Sequence, residues 1–134
     1  MNPALIDTDI VSYFLKGNQK VVIKFQEYLQ NYDRIAISII TYYEIISGLT
    51  FKNAGKQLEI FERFCKEVNV LNLTEESINH SARLYAAQRN SGKAIDDIDL
   101  LIAGIAISNG LVLVTNNVSH FSKIETLSIE NWSE

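Results

Sequence analysis

Apolar residues along this chain fall into two kinds of run. Short stretches without alternation occur at "PALID" (3–7), "IAIS" (35–38), "VNVLNL" (68–73) and "LVLVT" (111–115), with a weaker one at "TLSIE" (126–130). Strands covered on both faces carry such uninterrupted runs, which points to a parallel sheet. Between them lie segments of helical spacing: "TDIVSYFLKG" ending at Gly17, "VVIKFQEYLQNY", "IITYYEIISGL", residues 56–67 and "EESINHSARLYAAQRN". Thr74 is placed to cap the last of these, and Ser91-Gly92 to end it. "IDLLIAGIAISNG" is almost wholly apolar, hence a buried helix, with Gly110 as its stop. Strands alternating with helices predict an α/β fold: one domain over residues 1–134, with a mainly parallel central sheet of four to five strands flanked by helices. Ligands of such sheets bind in the crevice beyond the carboxyl ends of the strands.

Several acids map to that edge. Asp7 closes the first strand, and its plain role there is to cap the following helix. Asp9, in the first helical turn, is the weaker candidate, because an acid there is favoured by the helix dipole alone. Glu44 belongs to the first turns of the helix after the second strand. On a helical wheel Ile39, Tyr43, Ile46 and Leu49 form an apolar face, and Glu44 lies opposite, on a stripe with Thr41 and Gly48. Asp99 is placed by geometry. A helix over 98–109 is roughly 18 Å long, and the tight turn at Asn109-Gly110 sends a strand of roughly 17 Å back beside it. The helix start is therefore level with the end of "LVLVT", so that Asp99 and the pair Asn116-Asn117 share the edge of Asp7. Asp96 and Asp97 are assigned to capping that helix.

Composition sharpens the chemistry. The chain has 134 residues, a single Cys (Cys65) and a formal net charge of -4. One Cys gives no intramolecular disulfide, no apolar run approaches the ~20 residues of a membrane span, and the N-terminus lacks a signal-peptide pattern; the expected location is the cytoplasm. A generic nucleic-acid binder is usually basic, but a carboxylate cluster neutralised by metal ions escapes that rule. Lys16, Lys20, Lys24, Lys52 and Lys56 leave room for a local basic surface. Acids converging without partner cations would repel and titrate high unless cations share the site. Hard divalent ions such as Mg²⁺ or Mn²⁺ take oxygen ligands and need few protein carboxylates, which suggests metal-assisted chemistry on a phosphate. His80 and His120 are assigned structural roles, and Trp132 to packing of the C-terminal strand.

These fragments resemble the PIN-domain ribonucleases, specifically the VapC-like toxins of bacterial type II toxin–antitoxin pairs. "LIDTDIVSYFL" is similar to the family's "LDTNIVSYLL" pattern, and "SIITYYEIISG" to "SSITxxELxxG". "IDDIDLLIAGIAISNGLVLVTNNVSHF" resembles "IGPxDLLIAAHALSxGxxLVTNNxREF", and "IENW" the closing motif. The likeness covers nearly the whole chain, in order and at matching spacing. It implies a metal-dependent endoribonuclease whose family carboxylates correspond to Asp7, Glu44 and Asp99. Asn117 matches a fourth position that is Asp or Asn in the family, and Thr115 a neighbouring hydroxyl. It further implies Mg²⁺, with Mn²⁺ as the alternative, held by Asp7 and Asp99, RNA as substrate, and a VapB-like antitoxin as partner. Asp9, Asp96 and Asp97 depart from the usual Asn, Gly and Pro and make the edge more negative.

The helices of residues 18–32 and 40–51 carry Phe25, Tyr28, Tyr32, Tyr42, Tyr43 and Phe51, more aromatic surface than a small core accommodates. Together with the resemblance, this predicts a homodimer offering a hydrophobic groove to the antitoxin. Two rival readings remain. A catalytically weak PIN fold acting only as an RNA-binding or interaction module is separated by metal titration with an RNA substrate. A haloacid-dehalogenase-type phosphatase is suggested by "ALIDTD", with Asp7 as nucleophile; its late acidic pair should follow a strand directly, whereas here it precedes a helix.

Overall fold

A computed structural model describes residues 1–134. Five short strands form one sheet: β1 (Ala4–Ile6), β2 (Ala36–Ser38), β3 (Asn69–Leu71), β4 (Val112–Val114) and β5 (Ile129–Glu130), in the order β3-β2-β1-β4-β5. Every pairing is parallel. Six longer helices connect them: α1 (Thr8–Leu15), α2 (Gln19–Asn31), α3 (Ile39–Phe51), α4 (Gly55–Lys66), α5 (Glu75–Asn90) and α6 (Asp97–Ser108). The α/β architecture and the parallel sheet follow the hydrophobic pattern, the weak fifth strand included. A short α7 (Val118–Phe121) was not foreseen, because four residues are too few to show a helical period.

Strand order positions the site. β1 pairs with β2 on one side, Leu5 opposite Ala36, and with β4 on the other, Ile6 opposite Val114. The chain thus winds outward in both directions from β1, and the reversal opens a crevice at the carboxyl ends of β1 and β4. Asp7 and Thr115 are the residues next beyond those ends. Side-chain alternation then divides the core. Ile6, Ile37 and Val114 pack with Ile10, Phe25, Tyr28, Phe61 and Trp132 on one face. Leu5 and Leu113 pack with Leu84, Leu100, Ile102, Ile105 and Phe121 on the other. The buried Tyr28 hydroxyl accepts from the Ala4 amide at 3.0 Å, satisfying a donor at the start of β1.

Two expectations need correction. α3 does not bury Tyr43, which is 66% exposed; it buries Thr41 and Ile45. Thr41 tolerates burial because its amide and hydroxyl are paired with Ser38 and Thr8. Of the six rings counted as excess, Phe25 and Tyr28 lie in the core and Tyr32 and Tyr42 pack half-buried against it. Only Tyr43 and Phe51, the latter 92% exposed, face outward. No helix is long and apolar enough to cross a membrane.

α6 approaches α5 closely at Gly104, where Ser81 donates from Oγ to the Leu100 carbonyl at 2.8 Å. A Cβ on Gly104 would meet Ser81 Oγ and would stand 2.5 Å from the Ser77 carbonyl oxygen. A hydroxyl can swing aside, but a helix carbonyl cannot. Gly104→Ala should therefore destabilise the fold by about 1–3 kcal/mol, despite alanine's better helix propensity. Thermal denaturation should register this as a Tm fall on the order of 5–10 °C.

Candidate active site

The site begins with Asp7, which is only 7% exposed. As the N-cap of α1 it accepts the Thr8 amide on Oδ1 at 2.9 Å. Its other oxygen, Oδ2, accepts the Thr115 hydroxyl at 2.8 Å. Thr115 Oγ1 in turn accepts the Asn117 amide at 2.9 Å, so the turn after β4 is bolted to the end of β1. Capping and site geometry coincide in one carboxylate.

Around it the acids fall into two groups. Asp9 accepts the Ile10 amide at 2.8 Å and the Asn116 amide at 3.0 Å. Glu44 accepts the Thr8 hydroxyl at 2.6 Å, and that hydroxyl is also paired with Thr41 Oγ1 at 3.0 Å. The Thr41–Glu44 stripe expected to lie away from the packed face of α3 is thus turned onto the start of α1. Asp99, half-buried in the first turn of α6, instead meets His120 on α7: Nδ1 lies 3.5 Å from Oδ2. The same Nδ1 is 3.0 Å from the Asn117 side-chain amide, which links Asp99 to the turn bonded to Asp7. Asp96 caps α6, accepting the Ile98 amide at 3.2 Å, and His80 lies elsewhere, paired with Arg83 on α5. His120 was expected to be structural, yet it is the neighbour of Asp99. Its position on a one-turn helix left no periodic signal, although its spacing of three from Asn117 would place it on the same helical face.

Burial and charge act together here. Burial first, then Asp9, and more weakly Glu44, push the Asp7 carboxyl up to about 7, against the pull of its bonds to Thr115 and Thr8. Asp9 is raised mainly by burial, opposed by the amides of Ile10 and Asn116. Asp99 is raised by burial, with His120 pulling the other way. No Lys or Arg forms an ion pair with any of these acids; the one Lys pair is Lys24–Glu27, and the nearest imidazole is His120 beside Asp99. An edge rich in acids and lacking bases suits a divalent cation. No three His, Cys, Asp or Glu groups are placed to ligate one ion. A cation would rest on one or two carboxylates and otherwise on water or substrate oxygens, the usual habit of Mg²⁺. Asp7 and Asp99, the two candidates from the sequence, offer hard oxygens suited to such an ion and are connected here through Thr115, Asn117 and His120.

A family model described as the PIN domain matches residues 4–127. Ribonuclease VapC1 of Haemophilus influenzae (strain R2866) is 31% identical over 131 residues, 97% of this chain and 98% of that protein. The chain belongs to the PIN-domain family, among its VapC members. The tRNA(fMet)-specific endonuclease VapC of Shigella flexneri is 28% identical over 130 residues, 96% of this chain and 97% of the relative. Among solved structures, DNA-bound VapBC from Salmonella typhimurium superposes with a TM-score of 0.88 at 30% identity, covering 98% of this chain and 99% of that one. VapBC-1 from nontypeable Haemophilus influenzae gives 0.86 at 31% identity, covering 98% of both. The phosphatase reading does not survive this, since the PIN match spans both the first acids and the helix that follows Asp96.

The raised carboxyl of Asp7 has a consequence for stability. In the unfolded chain it titrates near its ordinary value of 3.8, in the fold at about 7. The folded state therefore holds the proton more tightly, and this contribution is fully present below about pH 4 and lost as pH rises through 7. Asp7→Asn removes the dependence. With chelator present, urea denaturation should find the variant more stable than the parent at pH 8 by roughly 2–4 kcal/mol, with the gap closing towards pH 4.

Proposed function

We propose that this PIN-domain protein is a metal-dependent endoribonuclease that hydrolyses RNA phosphodiester bonds, the toxin of a VapBC-type toxin–antitoxin pair acting in the cytoplasm. The observation that carries the reading is Asp7: a buried acid at the crevice of a parallel sheet, near Asp9 and Glu44, with no basic partner. Such a group is costly to keep for stability alone, and its natural complement is a cation. RNA as substrate is supported by relatives named as ribonucleases and as a tRNA(fMet)-specific endonuclease.

In this reading Asp7 and Asp99 hold Mg²⁺ or Mn²⁺, and Glu44 and Asn117 complete the catalytic edge. When bound, a divalent ion supplies positive charge for the phosphodiester oxygens and makes an attacking water more acidic. The protein's own residues orient and exclude. Thr115 and the Thr8 amide fix both oxygens of Asp7, so that its remaining lone pairs are directed rather than free to rotate. The Thr8 hydroxyl holds Glu44, an exposed carboxylate that would assist the ion directly or through water. His120 Nδ1 lies between Asp99 and the Asn117 side-chain amide, so the ring joins the two residues at the edge.

An antitoxin partner is supported by the VapBC structures that this chain resembles. A cavity of about 130 Å³ between α1, α3 and α4, lined by Leu15, Ile45, Leu49 and Ile60 with Ser12, Lys16 and Gln57, has room for one apolar side chain of such a partner. The outward rings of Tyr43 and Phe51 support self-association as a homodimer.

Asp7→Asn and Asp99→Asn should each abolish RNA cleavage in Mg²⁺ while the fold survives. The loss should exceed the roughly 10–100-fold typical of removing a residue that only supports a ligand. Near-parental turnover in either variant contradicts the assignment. Glu44→Gln should fall less, since a group acting through water is more easily replaced. Light scattering at micromolar concentration should give the mass of a dimer; a monomer's mass counts against self-association through Tyr43 and Phe51.

A further inference from the structure

Three consecutive residues after β4 each serve a different acid. Thr115 donates to Asp7, the Asn116 amide donates to Asp9, and Asn117 contacts His120, the neighbour of Asp99. The geometry of the whole edge therefore depends on how this turn is held. Thr115 is buried, but Asn116 is exposed, and within the turn only the Asn117 amide's bond to Thr115 spans it.

Its side chain is held from outside. Asn116 Nδ2 donates to the Tyr13 hydroxyl on α1 at 3.2 Å. Asn116 Oδ1 accepts from Asn131 Nδ2 at 3.0 Å and lies 3.1 Å from the Ser133 hydroxyl. Asn131 is itself braced, its Oδ1 accepting the Ser133 amide at 2.9 Å and the Ser133 hydroxyl at 2.6 Å. Between the two stands Trp132, 2% exposed, with its ring edge-on to Phe25 at 5.7 Å and tilted on Tyr28 at 5.6 Å. The C-terminal segment is thus anchored in the core by one ring, and the residues on either side of that ring reach back to Asn116.

We propose that Asn131 is a positioning residue for the carboxylate edge, acting through Asn116 on the turn that engages Asp7, Asp9 and Asp99. Asn131 touches none of these acids. It supplies an amide donor to the Asn116 side chain beside the contacts of Tyr13 and Ser133, and the side chain so held keeps the Asn116 amide aimed at Asp9. Without that donor Asn116 keeps only Tyr13 and Ser133, and its amide is held less firmly against Asp9. A cation then meets a looser set of oxygens.

The inference rests on the proposed divalent-ion nuclease, and the test separates the two. Asn131→Asp keeps the acceptor for Ser133 but replaces the donor with an oxygen facing Asn116 Oδ1; Asn131→Ala removes both. Mn²⁺ titration calorimetry without RNA should show affinity reduced about tenfold or more in both. Steady-state cleavage should show kcat falling while KM for RNA stays within about twofold, the split expected of a residue that acts on the reacting centre alone. In the metal-free protein, hydrogen exchange at the Asn116 amide should accelerate in both variants. Parental affinity, kcat and Asn116 exchange in the variants overturn the role of Asn131 and leave the nuclease reading standing. A loss that merely follows a lowered Tm, with KM and kcat affected alike, makes Asn131 structural and also overturns it. A parent chain that neither binds Mn²⁺ nor cuts RNA overturns the proposed function, and this inference falls with it.

Discussion

The constraint on which the site depends is a carboxylate buried where the sheet changes direction. β1 is the central strand, and the residue that follows it has nowhere to go but into the crevice between the two halves of the sheet. An acid there loses most of its hydration, a penalty partly offset by one backbone amide and one hydroxyl. Those partners come from α1 and from the turn after β4, so satisfying Asp7 joins two segments 108 residues apart in sequence. The same bonds that make its burial tolerable orient its oxygens. Folding and site assembly are one event at this residue.

Hydroxyls do much of the remaining positioning. Thr8, Ser38, Thr41 and Thr115 are short, lose little rotamer freedom, and pair with one another or with the acids. Thr8 fixes Glu44 and Thr115 fixes Asp7 without neutralising them, as an Arg or Lys would, while Thr41, itself paired with Ser38, braces Thr8. The hydroxyl and amide bonds, and His120 at Asp99, oppose the burial that drives Asp7, Asp9 and Asp99 towards the protonated form, yet all three stay raised, and no Lys or Arg offsets them. Asp99 stands apart from the Asp7, Asp9 and Glu44 group, with His120 beside it.

Much of this could be read in the chain itself. Uninterrupted apolar runs identify strands because both faces of a parallel sheet are covered, and the alternation of such runs with helical spacing yields the architecture. Asp7 is legible because the end of a strand is also a place in space. Asp99 is legible because helix and strand rise convert sequence length into distance. The turn of α3 was not, since Ile39, Ile40, Ile45 and Ile46 surround it with apolar residues and the wheel cannot say which side faces inward. The structure resolves this through Thr41, a polar residue buried by its partners rather than by its hydropathy. His120 and the reach of Asn131 to Asn116 are tertiary facts. No local pattern encodes a four-residue helix or a contact between residues that only the sheet brings together.

The most direct measurement of the central claim is the titration of the Asp7 carboxyl, followed by carbon NMR with selective labelling, in metal-free protein and again with Mg²⁺. The account predicts a midpoint near 7 without metal, moving down by more than about one unit when the ion is added, because a cation favours the charged form. An Asp7 that titrates near 4 in the metal-free protein, or whose midpoint is indifferent to Mg²⁺, would contradict it.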